Sequence, residues 1–428
     1  MEWSLSRLIK GDKVIWLIFT ALCLLSLVEC FSAIGTLSYS KGNTYGPIIR
    51  HGMFLLVGYS LVVVLHNFHY KYTALLAYVM LVVSIILLCI TLVSGVEANG
   101  AARWLSFFGI QLQPSELAKL SLVMYIAWAL GKGRRSELEM EKAYWRVLIV
   151  TAVVVGLIIK ENMSTALLIL IFVYFMFLIG GVSKGHMIRL TILAVVMAAL
   201  LFSLLYFVPS MPGLDRWGTW HNRLHGSEQV DVLSPQYRQT DENRQVHHAK
   251  IAVANGRFLG VLPGNSTQRD FLPQAYSDFI YAIIIEDLGW LGLFGVPALY
   301  IFLLFRCKRI ARQCTRAVPI LLVMGSALII CMQAFVNMAV AVGFFPVTGQ
   351  PLPLVSRGGT SGLITCVYFA VILSVSRFGA SEDEAEVLAA EEAVEAEEAA
   401  RLELERLSRQ QPEEAPALSD EEYASGAD

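Results

Sequence analysis

The chain has 428 residues, of which 56% are hydrophobic and only 16% charged, and its mean hydropathy is +0.59. Soluble domains carry about 25% charged residues, so this composition excludes a soluble globular protein and gives no basis for nucleic-acid binding. The net charge of -2 hides an asymmetry: residues 379–428 hold 17 acids and 3 arginines, a net of -14, and the rest holds 30 basic and 18 acidic residues, a net of +12. A basic membrane body suits anionic lipid substrates or headgroups.

Taken from the N-terminus, Arg7, Lys10 and Lys13 precede an apolar run of spanning length with no small-residue cleavage site after it, so no cleavable signal peptide is expected. A hydrocarbon core about 30 Å thick needs about 20 apolar residues per helix. Ten segments qualify, at roughly 14–36, 48–66, 73–94, 114–131, 144–160, 163–181, 186–208, 277–305, 317–344 and 356–377. The predicted fold is therefore an all-α polytopic membrane protein with ten transmembrane helices. Residues 1–13 form a cytoplasmic N-terminus, 14–378 the membrane domain, and 379–428 an acidic cytoplasmic tail. Glu161-Asn162 separates the fifth and sixth spans, which predicts a tight helical hairpin.

Basic residues orient the bundle. With the N-terminus inside, inner loops hold Lys71, Lys132, Arg134, Arg135, Lys184, Arg306, Lys308, Arg309, Arg312 and Arg316. The long polar stretch at roughly 209–276, between helices 7 and 8, then falls outside the cytoplasm. It holds Arg216, Trp217, Trp220, His221, Arg223 and His225, and Val246–Leu259 has apolar spacing for a surface helix. Loops of such length are functional or disordered. Glu391–Arg409 in the tail is rich in Ala, Glu, Leu and Arg, and reads as a disordered acidic segment or a short helix that contacts a cytoplasmic partner.

Seven cysteines occur, five in apolar segments, and Cys307 and Cys314 in a basic loop; none lies in the long loop, so no disulfide framework is expected there. No Cys/His spacing fits a metal site, and the adjacent His247-His248 reads as loop surface.

Several charges break the apolar pattern: Glu29 late in the first span, Glu116 and Lys119 at the start of the fourth, Glu286-Asp287 in the eighth, and Arg357 at the mouth of the last. Glu116 and Lys119 share a helix face three residues apart and can neutralise each other. Asp278, where the long loop meets an apolar run, has two readings: a helix N-terminal acid capped by Ser277, or a functional acid at a membrane boundary. Ionisable groups gathered toward the outer helix ends suggest a polar cavity opening outward. The glycines of Asn255-Gly256, Gly260 and Gly264 do not follow a strand, so they predict turns rather than a nucleotide loop. Pro346, Gly349, Pro351 and Pro353 predict a tight or re-entrant segment, tolerated at membrane depth only where it lines protein or water.

Four blocks, in order, resemble a known family. They are Asn99-Gly100-Ala101-Ala102-Arg103-Trp104 with Gln113-Pro114-Ser115-Glu116-Leu117-Ala118-Lys119, and Gly260-Val261-Leu262-Pro263-Gly264-Asn265-Ser266. The third is Leu272-Pro273-Gln274-Ala275-Tyr276-Ser277-Asp278-Phe279-Ile280 with Glu286-Asp287-Leu288-Gly289. The fourth is Asn337, Pro346–Pro353 and Ser356-Arg357-Gly358-Gly359-Thr360-Ser361. On these, residues at roughly 10–378 are identified as a member of the SEDS family (shape, elongation, division, sporulation), most similar to its division branch, with the elongation branch as the alternative. The chain departs from the family pattern at Asn162, where an Asp is usual, at Arg357, where an aromatic is usual, at Tyr276-Ser277 before Asp278, and at Asp287.

The resemblance implies a peptidoglycan glycosyltransferase that polymerises lipid II (undecaprenyl-pyrophosphate disaccharide peptide) at the outer face of the bacterial cytoplasmic membrane, at the division site. It implies Asp278 as the essential acid, and as partners a class B penicillin-binding protein transpeptidase and other division proteins. The chemistry asks for a base for a sugar hydroxyl and cations for a leaving pyrophosphate. Asp278 is the expected base. Arg103, Lys119 and Arg357 are candidates for the pyrophosphate, with Glu116 positioning Lys119. Gln113, Ser115, Ser356, Gly358 and Gly359 complete the candidate substrate-binding set. The cofactor stays open, with room in the chemistry for a divalent cation at the pyrophosphate. A lipid II flippase and a scaffold for a transpeptidase remain the competing classes.

Overall fold

A computed structural model describes residues 10–33, 46–98, 101–107, 110–160, 162–209, 217–218, 220–221, 241–272 and 275–379. The readings made for Arg216, Arg223 and His225, for Asn99-Gly100, for Glu161, for Pro273-Gln274 and for the acidic tail lie outside the described residues.

The hydropathy pattern becomes helices close to where it predicts them. They are α1 (Lys13–Ala33), α2 (Gly46–Leu65), α3 (Thr73–Ser94), α4 (Pro114–Gly133), α5 (Glu137–Ile159), α6 (Met163–Gly180) and α7 (Lys184–Phe207). Local chemistry sets several ends. Pro114 opens α4 at a position where its missing N–H costs nothing. Ser136 caps α5 by accepting from Glu139 N, and Asn162 caps α6 by accepting from Thr165 N. Gly181, at φ 80°, closes α6 in the left-handed conformation. The predicted α5–α6 hairpin is present.

After the long loop come α8 (Asp241–Gly256), α9 (Ile280–Leu288), α10 (Trp290–Ala311), α11 (Ala317–Ala341) and α12 (Thr360–Gly379). The predicted surface helix is α8, shifted toward the N-terminus. The predicted eighth span, 277–305, is two helices. Gly289 breaks it at φ 59° and ψ −132°, a conformation that other residues do not tolerate. In the sequence Glu286-Asp287 interrupts the apolar run just before this glycine, while the hydropathy on either side reads as one span.

Nine of the described helices are long and apolar enough to cross a membrane: α1, α2, α3 (continuous with the Tyr70–Tyr72 turn), α5, α6, α7, α10, α11 and α12. The 20-residue α4 carries Glu116, Lys119 and Lys132, and most of its residues are buried. It packs against α3, α5, α6 and α11. At the other extreme, only Met187 and Leu205 of α7 are buried. The all-α expectation needs one amendment. Between α3 and α4 lies a three-stranded antiparallel sheet of β1 (Val96–Ala98), β2 (Ala101–Phe107) and β3 (Ile110–Leu112), in that order. Trp104 pairs with Val96, and Leu105 with Leu112.

The two ends of the bundle differ. At one, Arg306 binds Asp12 at 2.7 Å and the Asp12 N–H reaches Ser376, so α1, α10 and α12 are tied together. The sheet, α9 and the Gly343–Gly359 segment gather at the other.

Candidate active site

Asp278 does not begin a helix. It sits half-buried in the turn Ala275–Phe279, and α9 starts at Ile280 with Phe279 as an N-cap that makes no side-chain bond. Ser277 is therefore not a helix cap. Its hydroxyl donates to Asp278 Oδ1 at 3.0 Å.

Two arginines accompany this turn. The Arg357 guanidinium lies over the Tyr276 ring, 5.3 Å from its centroid, a cation–π contact. Arg103 arrives on β2. Its Nη1 and Asp278 Oδ2 come together beside Gly349: a Cβ on that glycine would stand 3.4 Å from the first and 3.7 Å from the second. Gly349 has φ 66°, a backbone conformation that favours a residue without a side chain.

Arg103 also lines a cleft of about 30 Å³ with Leu88, Leu92, Leu157, Ser115 and Asn162. Its polar groups, Arg103, Ser115 and Asn162, face apolar side chains of α3 and α5. Asn162 uses Oδ1 on the α6 cap, and its buried Nδ2 has no hydrogen-bond partner among the described residues. Sequence reasoning placed Asn162 only as a departure from the family pattern. Its cleft position needed the fold.

Glu116 and Lys119 pair as expected, at 2.7 Å, with side chains 4% and 0% exposed. Lys119 Nζ also donates to Gln333 Oε1 at 2.6 Å, and Gln333 Nε2 donates to Pro351 O at 3.1 Å. The pair is thus connected to the proline-rich segment through Gln333, a residue the sequence gave no reason to single out. Gln113, also buried, precedes α4 and accepts from Glu116 N. Ser356 is buried and its hydroxyl is engaged with backbone on both sides, accepting from Leu352 N at 2.7 Å and donating to Ser277 O at 2.6 Å. Gly358 and Gly359 lead into α12. A Cβ on Gly359, at φ 53°, would meet nothing within 4 Å, whereas one on Gly358 would collide with Ser361 Oγ. Leu354, buried at φ 64°, marks the same segment as held under strain.

A second acidic group lies along α9. Glu286 accepts from Asn255 Nδ2 and Thr267 Oγ1, both at 3.0 Å, and from the Ser266 hydroxyl, so it anchors the loop rather than facing lipid. Asp287 accepts from the Ser32 hydroxyl at the end of α1 and faces Glu29. Helix α9 precedes the spanning α10, and burial pushes the Asp287 carboxyl up to about 6, against the lowering effect of the Ser32 bond. Among the described residues no three His, Cys, Asp or Glu side chains gather in a way that could hold a metal ion.

The chain has counterparts among known proteins. The profile of a family described as cell cycle proteins, comprising FtsW, RodA and SpoVE, matches residues 12–381. A probable peptidoglycan glycosyltransferase FtsW from Nitrosococcus halophilus is 33% identical over 333 residues, 76% of this chain and 81% of that protein. The protein of the same name from Halomonas elongata is 32% identical over 343 residues, 78% and 82% of the two chains. A chain from a peptidoglycan synthase complex, solved to address the coordination of polymerization and crosslinking, superposes with a TM-score of 0.67 at 25% identity, covering 86% of this chain and 98% of its own. The rod shape determining protein RodA of Thermus thermophilus gives 0.60 at 24% identity, covering 87% and 99%, and shares the fold. The chain belongs to the FtsW/RodA/SpoVE family of cell cycle proteins, the SEDS family.

Proposed function

We propose that the protein is a peptidoglycan glycosyltransferase that polymerises lipid II into glycan strands for septal wall synthesis. The observation that carries this reading is that the Asp278 carboxylate and the Arg103 guanidinium meet at the same side of Gly349, each within 4 Å of the point where a Cβ would stand. An acid that takes a proton and a cation that receives negative charge are the two groups a displacement of pyrophosphate requires. The names of the relatives support the same activity.

In this mechanism the Asp278 carboxylate removes the proton from an acceptor sugar hydroxyl. The hydroxyl oxygen attacks the anomeric carbon of the donor, the bond from that carbon to the pyrophosphate oxygen breaks, and the lipid pyrophosphate leaves with the electron pair. Direct displacement inverts the anomeric centre. General-base help is worth about 10²–10⁴-fold. Arg103 and Arg357 stabilise the leaving charge. The small cleft at Arg103 sets the guanidinium beside Ser115, Asn162 and apolar side chains of α3 and α5. Lys119, enclosed by Glu116 and Gln333, supports the Pro351 segment rather than meeting substrate.

We place the reaction on the outer face of the bacterial cytoplasmic membrane, with both termini in the cytoplasm, at the division site. A class B penicillin-binding protein is the proposed partner, in keeping with the synthase complex that shares this fold. A flippase shares the need for a lipid cleft, but transporters bind near the bilayer midplane at broken spanning helices. Asp278 lies in a turn outside the spanning helices. Asp278→Asn, purified and folded, is expected to abolish glycan formation from lipid II in a gel assay. Full activity in that variant would overturn the assignment.

A further inference from the structure

The turn that carries Asp278 has three consecutive carbonyls, and each accepts a hydrogen bond from the far end of the chain. Tyr276 O accepts from Arg357 N at 2.9 Å. Ser277 O accepts from Ser356 Oγ at 2.6 Å, and Asp278 O accepts from Asn337 Nδ2 at 3.0 Å. A turn of this kind has no strand or helix partner to satisfy its carbonyls, so donors from elsewhere must. Two of the three donors are side chains, and both are buried, at 4% exposure for Ser356 and 1% for Asn337.

Both side chains also bind the opposing segment. Asn337 Nδ2 donates to Gln350 O at 2.7 Å as well as to Asp278 O, which uses both amide protons on carbonyls and fixes which way the amide faces. Gln350 follows Gly349, the residue against which Asp278 Oδ2 lies. Ser356 accepts from Leu352 N while it donates to Ser277 O. Each side chain therefore joins the Asp278 turn to the Gly349–Arg357 segment. The distance between the carboxylate and the cation-bearing wall is set by these two staples.

We infer that Ser356 and Asn337 are positioning residues for Asp278: they hold its backbone so that the carboxylate stays in register with Gly349 and Arg103. The inference rests on the reading of Asp278 as the base. Neither side chain touches substrate in this account, so their loss acts on the turnover step and leaves lipid II affinity nearly unchanged. A displacement of about 1 Å at a reacting group costs up to about 10²-fold in rate.

The test is a set of purified variants with steady-state kinetics on lipid II and thermal melts in the same detergent. Ser356→Ala, folded, is expected to lower kcat by about 10- to 100-fold with KM within about twofold. Ser356→Thr, which keeps the hydroxyl, is expected to recover most of kcat. Asn337→Ser, with a shorter reach, is expected to lower kcat in the same way. Unchanged kcat in Ser356→Ala, a change confined to KM, or failure of Thr to rescue would each overturn the inference. Loss of folded protein in both Ser356→Ala and Asn337→Ser would overturn it too, by assigning these residues to stability. The two readings fail separately: an active Asp278→Asn removes the base itself, whereas an inactive Asp278→Asn beside a fully active Ser356→Ala removes only the positioning role.

Discussion

Lys119→Met breaks a buried ion pair from one side. In the native chain Nζ sits 2.7 Å from Glu116 Oε1 and 2.6 Å from Gln333 Oε1, with the Lys119 side chain at 0% exposure. Removing the cation strands a carboxylate in the middle of a helical bundle. Breaking one side of a buried pair costs about 3–5 kcal/mol, roughly two to four orders of magnitude in the folded-to-unfolded ratio. Replacing both partners, as Glu116→Leu with Lys119→Met, removes the stranded charge. What then remains is the unpaired Gln333 oxygen, worth about 1–3 kcal/mol. The double variant should therefore be more stable than the single one, although it carries more changes. Unfolding in mixed micelles, followed by tryptophan fluorescence, reads the difference. A single variant as stable as the wild type, or a double variant no better than the single, would refute the reasoning.

Two further outcomes follow from α9. Gly289→Ala would set a Cβ 2.6 Å from Gly260 N and Phe258 O in a backbone conformation reserved for glycine. The loss should exceed about 3 kcal/mol, since backbone strain alone costs about 1–3 kcal/mol. Gly295→Ala in α10, with only Leu291 Cδ1 nearby at 3.8 Å, should be neutral or gain up to about 1 kcal/mol, and equal melting behaviour of the two would count against the account. Asp287, raised from 3.8 to about 6 in the fold, binds its proton more tightly folded than unfolded. Its contribution is therefore complete below about pH 4 and is lost as pH rises through about 6, on the order of 2–3 kcal/mol. Glu29, Glu286, Ser32 and Arg269 are the groups that face it. In Asp287→Asn this pH slope should flatten, and an unchanged slope between pH 4 and 6 would assign it elsewhere.

Much of the bundle was legible in the sequence because spanning helices announce themselves by local hydropathy. The Glu116–Lys119 pair was legible for a similar reason, since three residues on one helix fix a contact. Turn glycines at 260 and 264 were readable and do adopt positive φ, at 74° and 93°. The break at Gly289 had a local trace in the Glu286-Asp287 pair and the glycine after it, but its conformation is imposed by contact with α8 and the loop after it. The sheet that carries Arg103 was hidden in a short polar connection. Asn337 stood out only as part of a family block and Gln333 not at all; both sit within an apolar helix, and their meaning comes from carbonyls 59 and 18 residues away. Ser277 shows the limit of local rules: its place before an apolar run suggested a cap, and the tertiary clasp on the turn assigns it to Asp278 instead.

The seam between α8 and α9 is made of main chain. Gly256 lies against the Ile285 carbonyl, Gly260 against the Asp287 carbonyl, and Gly289 against both Gly260 and Phe258. A contact between side chains can loosen by one methyl group at a time, and selection can tune it in small steps. Main chain against main chain offers no such steps, because the smallest addition to any of these glycines overlaps atoms that cannot rotate away. Any side chain added at these three glycines would have to displace main chain, so the spacing between α8 and α9 is fixed there, and the Asp278 turn at the head of α9 stands on that footing.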